Sequence, residues 1–123
     1  MRLSLVLALL ALAANAHPAP VHRLRCDLRT AYDGDVKRSV RLVVLGINSW
    51  REAEGRQEVT ELCGTKAKGG YRCTLTPHVF TASVGVGGDE PSAVRIDLRT
   101  GNYIDRGYMD GKPIVTTGTC RPT

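Results

Sequence analysis

Four cysteines, three histidines and a closely spaced pair of lysines are the side chains of this chain with the most chemistry to offer. Cys26, Cys63, Cys73 and Cys120 allow three pairings, and spacing alone does not choose among them. The glycines of GTKAKGGYR, between Cys63 and Cys73, suit a tight reversal, which favours Cys63 with Cys73 and leaves Cys26 for Cys120. No CxxC spacing occurs, so structural disulfides are expected rather than a thiolate metal site or a cysteine nucleophile. Lys66 and Lys68 would then project from a loop closed by the inner bridge, a rigid presentation that lowers the entropic cost of entering an acidic cleft.

No serine-hydrolase elbow, zinc-protease helix or phosphate-binding glycine loop is present. SVGVGGDE has the glycines of a dinucleotide fingerprint, but a strand pattern follows it where a helix is required. His78 with Asp97 or Asp105 is the remaining acid-base combination, and the chain is expected to be no enzyme. No cofactor is expected either, with copper as the alternative. Arg2, the apolar run Leu3 to Leu12 and the small residues of Ala14-Asn15-Ala16 have the order of a secretory signal peptide, residues 1–16. Cleavage there would make His17 the amino terminus, whose α-amine and imidazole could hold copper together with His78 or His22. That arrangement resembles the histidine brace of exported copper proteins, which implies a copper-binding role for His17 and His78.

The elements that must position these groups read as short strands. Residues 17–23 carry two prolines and are expected as a flexible tail, and residues 24–123 as a single β domain. Leu24 to Thr30 alternates, with Leu24, Cys26 and Leu28 opposite Arg25, Asp27 and Arg29. Val36 to Ile47 is apolar at consecutive positions from Leu42 onward, which predicts a strand buried on both faces. Asn48 to Gln57 is polar apart from Trp50 and reads as a loop or one helical turn. Glu58 to Cys63 and Tyr71 to Thr76 read as two arms of a hairpin, and His78 to Val84, Ala93 to Arg99, Tyr103 to Tyr108 and Ile114 to Cys120 as further strands. The sum is an all-β fold: a small antiparallel β-sandwich or barrel of about seven short strands, stapled by disulfides. With one Trp and one Phe, its core must come mainly from Val, Leu and Ile.

RCDLRT at Arg25 to Thr30 recurs as RIDLRT at Arg95 to Thr100. Were these strands neighbours in register, Asp27 would oppose Asp97, so a shifted register or no adjacency is expected. The formal charge of +5, reduced to +4 without Arg2, is spread along the chain, which argues against dedicated nucleic-acid binding. It suits an anionic envelope polymer or an acidic protein cleft. No mature stretch reaches the length of a membrane-spanning helix, so membrane insertion is not expected. These readings converge on a secreted or periplasmic, non-enzymatic domain that binds a macromolecular partner through the basic loop, for instance as an enzyme inhibitor. A structural envelope component is the remaining alternative.

Overall fold

A computed structural model of the chain describes residues 21–58, 61–64, 70–85 and 92–123. Residues 1–16, expected as a signal peptide, and His17, Lys66 and Lys68 lie outside the described residues. Among the described residues nine strands form one antiparallel sheet: β1 (His22–Tyr32), β2 (Asp35–Gly46), β3 (Ser49–Glu54), β4 (Gln57–Glu58), β5 (Arg72–Leu75), β6 (Val79–Val84), β7 (Ser92–Asp97), β8 (Asn102–Met109) and β9 (Lys112–Pro122). Their order across the sheet is β4-β3-β2-β1-β9-β8-β7-β6-β5. The fold is therefore all-β, and the single curled sheet is a half-barrel rather than two packed layers. Tight turns at Asp33-Gly34 and Asp110-Gly111, all four residues at positive φ, connect β1 to β2 and β8 to β9.

One face of every long strand points into the curl. Leu24, Cys26 and Leu28 of β1 are buried, as their alternation predicts, and so are Val94 and Ile96 of β7, Phe80 and Ala82 of β6 and Tyr103 of β8. Three aromatic rings meet inside: Trp50 stands edge-on to Tyr71 at a centroid distance of 4.9 Å and packs against Phe80 at 5.9 Å. The core is thus less purely aliphatic than composition predicts, because Trp50, Phe80, Tyr103 and the half-buried Tyr71 point inward, while Tyr108 stays exposed. Cys26 faces Cys120 directly across the β1–β9 ladder and is bonded to it, and Cys63 is bonded to Cys73. The first and last strands of the chain, neighbours at the centre of the sheet, are thereby cross-linked.

Two expectations about β2 and β3 fail for one shared reason. Only Val43 and Leu45 of the apolar β2 run are fully buried; Val36, Val40 and Leu42 are 49%, 42% and 50% exposed. A single-layer sheet covers one face alone, so the second aliphatic row of β2 stays in solvent. Residues 49–54 form a strand rather than a loop or helical turn, because Glu52 follows Trp50 into the interior and is buried there despite its charge. Its carboxylate accepts hydrogen bonds from Trp50 Nε1 at 3.0 Å and Tyr103 Oη at 2.8 Å, and pairs with Arg41 at 3.2 Å. These bonds cross the hollow of the curl, since β3 and β8 are separated in the sheet by β2, β1 and β9.

The two ends of the sheet are brought together by residues 61–64. Leu62 N donates to Trp50 O at 3.0 Å on the β3 side, while Tyr71 N donates to Leu62 O at 3.0 Å and Gly64 N to Tyr71 O at 2.8 Å on the β5 side. The Cys63–Tyr71 bridge is parallel, so the expected antiparallel hairpin with Glu58 to Cys63 as one arm does not form; Glu58 pairs with Ala53 instead. The tail boundary also moves, since His22 and Arg23 already belong to β1. β1 and β7, which carry the repeated hexapeptide, are not adjacent, so Asp27 and Asp97 do not meet.

Candidate anion-binding face

Strand alternation sorts charge as well as hydrophobicity. Residues two apart on a strand share a face, and directly paired residues on neighbouring strands share it too. By that parity Arg23, Arg25 and Arg29 of β1, Arg38 of β2 and Arg121 of β9 lie together on the outside of three adjacent strands, and all five are exposed. Arg51, Arg72, Arg95 and Arg106 continue the outer row on other strands. Basic residues dispersed along the chain thus become a surface in space. The pattern Arg23-x-Arg25-x-Asp27-x-Arg29 is the signal for it in the sequence, visible once a strand is assumed.

The register sharpens this. Arg25 stands directly opposite Arg121, and Arg29 directly opposite Arg38. Like charges in directly paired positions repel, and each such pair presents two guanidinium forks to one shared space. None of these arginines makes an ion pair among the described residues. Between the pairs, about 13 Å apart along β1 at the rise of an extended strand, stands Asp27, with Val40 and Thr119 at its sides. An open hollow of about 640 Å³ lies on the Arg29–Arg38 side, with Asp27, Arg29, Arg38, Thr117 and Thr119 in its lining. Guanidinium forks and hydroxyl donors around one hollow are suited to phosphate, sulfate or carboxylate groups, which accept several charge-assisted hydrogen bonds at once.

The interior holds the other concentration of titratable groups. Asp105, on the inner face of β8 opposite Val94 and Thr116, is pushed up to about 6, chiefly by burial and further by the nearby charge of Glu52, against an opposing effect of Arg41. Burial also raises the Tyr103 phenol well above its ordinary value. No buried side-chain nitrogen or oxygen among the described residues lacks a hydrogen-bond partner. The cluster is accordingly complete in itself and holds the curl together. Glu61 is a second such tie. It accepts Ser49 Oγ at 2.5 Å and Trp50 N at 2.6 Å, with Leu62 N and Cys63 N at 3.1 and 3.3 Å, clamping the residue 61–64 segment to β3. Burial alone would raise its pKa, but these four hydrogen bonds outweigh it and hold the carboxylate below its ordinary range.

Of the residues singled out in the sequence, the four cysteines are found in the two favoured bridges. His78 is exposed before β6, its backbone N–H bonded to Thr76 Oγ1 and its carbonyl accepting Leu98 N. Asp97 caps the turn after β7 through the N–H groups of Arg99 and Thr100, at 2.9 and 3.1 Å, and Asp105 faces the interior. Among the described residues no hydrogen bond or ion pair joins the His78 side chain to a carboxylate. Among the described residues no three His, Cys, Asp or Glu side chains converge as a metal site. Comparison of the chain with known protein families, with curated proteins and with solved structures finds no match.

Proposed function

We propose that this chain is an exported, non-enzymatic binding module that holds an anionic macromolecular component of the cell envelope or its surroundings on the outer face of β2, β1 and β9. The observation that carries the reading is the pair of directly opposed arginine couples, Arg25 with Arg121 and Arg29 with Arg38, exposed and without acidic partners among the described residues. An anion placed between two such guanidinium groups relieves their repulsion while gaining bidentate hydrogen bonds. Two disulfides suit an oxidising compartment outside the cytosol. Lys66 and Lys68 would add to the same preference from the loop that Cys63 and Cys73 close.

The test is retention of the disulfide-bonded protein on immobilised dextran sulfate across a salt gradient. The native chain elutes late and earlier as salt is added, because exposed charges separated by more than the Debye length of about 8 to 10 Å are screened. Arg25→Gln together with Arg29→Gln moves elution to distinctly lower salt, whereas Lys66→Ala with Lys68→Ala moves it less. Equal retention of the native and arginine variants would overturn the assignment of this face.

A further inference from the structure

The outer row of β2 carries a feature that anion binding does not use. Val36, Val40 and Leu42 lie about half exposed on the same face as Arg38, beside the arginine row of β1, and Ile47 at the end of β2 is 62% exposed. Such a row of aliphatic side chains on a soluble surface marks a contact. A dissolved polyanion would engage the guanidinium groups and leave these side chains in water. A second copy of the chain would cover them but would set five arginines, with Asp27 as the acidic residue of this face to offset them, against five more. An anionic bilayer meets both components at once, with phosphates at the level of the guanidinium groups and an acyl boundary just beneath for the aliphatic row.

We infer that the outer face of β1 and β2 seats on the surface of an anionic lipid membrane, the β1 arginines on headgroup phosphates and Val36, Val40 and Leu42 at the edge of the acyl layer. The inference rests on the anion-binding reading above and narrows it to one source of anions. Contact is peripheral: the sheet lies on the membrane and does not cross it. Arginine spacing along β1 allows several headgroups to be engaged together, so attachment depends on the density of anionic lipid rather than on one high-affinity pocket.

Co-sedimentation of the oxidised full chain with vesicles tests this, using phosphatidylcholine alone, phosphatidylcholine mixed with phosphatidylglycerol, and dextran sulfate in solution as the non-lipid comparison. The native protein is expected to sediment with the mixed vesicles and to stay in solution with phosphatidylcholine alone. Val36→Ser with Leu42→Ser should lower partitioning onto mixed vesicles about tenfold, since each buried methylene contributes to membrane affinity, and leave dextran sulfate binding unchanged. Arg25→Gln with Arg29→Gln should weaken both. Both double variants change exposed positions, and unchanged urea midpoints show that each still folds. Undiminished vesicle binding by the aliphatic variant overturns the lipid contact while the anion-binding reading stands. Loss of dextran sulfate binding from the native protein as well removes both, and self-association that disappears in the aliphatic variant overturns the lipid contact in favour of a dimer.

Discussion

Replacing Asp105 by Asn should make this protein more stable at neutral pH, although it removes a charged group from a network that contains Arg41. The carboxyl is held at about 6 in the fold against an ordinary value of 3.8. Between those values the native state binds more protons than the unfolded chain, so stability falls as pH rises through the window. A difference of that size corresponds to about 3 kcal/mol, and the partial solvent access of this half-buried side chain reduces the expected gain to about 2 kcal/mol. Asparagine keeps the size of the protonated side chain and never ionises, so the variant should match the native protein below about pH 4 and pull ahead progressively above it. Urea unfolding of both proteins from about pH 4 to pH 8 measures this, and the difference between them cancels the opposing contributions of Glu61 and Asp97, whose pKa values are lowered. A constant difference across that range, or a variant less stable at neutral pH, would refute the claim that burial and Glu52 disfavour the ionised form.

Glu61→Gln acts in the opposite direction: loss of charge-assisted bonds from Ser49 and three backbone N–H groups should cost about 2 kcal/mol at neutral pH. That gap should close as pH falls below the ordinary glutamate range, which the same urea series would show. Cys26→Ser with Cys120→Ser opens a crosslink spanning 94 residues and is expected to cost about 4 to 5 kcal/mol. Cys63→Ser with Cys73→Ser, spanning 10 residues, should cost about 3 kcal/mol in a denaturant titration.

The alternation of β1 and β7 was legible because their inward residues are apolar and their outward residues are charged. β3 was not, since its second inward residue is Glu52, and nothing local announces that Arg41, Trp50 and Tyr103 will receive that carboxylate. β2 misleads in the converse way: its outer valines and leucine imitate burial on both faces, while a one-layer curl has only one interior. The nested cysteine pairs were favoured by the glycines between Cys63 and Cys73, yet the register that makes Cys26 and Cys120 direct neighbours required the β1–β9 ladder. The arginine face was missed for a similar reason. Its members come from three strands, and only the antiparallel pairing of Arg25 with Arg121 and Arg29 with Arg38 makes it a surface. Glycine at position 118 belongs to the same ladder, because a Cβ there would overlap the Asp27 carbonyl of β1.

The four-residue latch between β3 and β5 bears on solubility. Residues 61–64 occupy hydrogen-bonding groups on both margins of the curl, and Cys63 is anchored to Cys73 only while that bond is oxidised. Reduction would loosen the latch from β5, while Glu61 still holds it to β3, and would expose the β5 margin, which can recruit another chain by continuing the ladder. The expected outcome is that thiol reductants provoke oligomers before they provoke unfolding, which size-exclusion chromatography under reducing conditions would check.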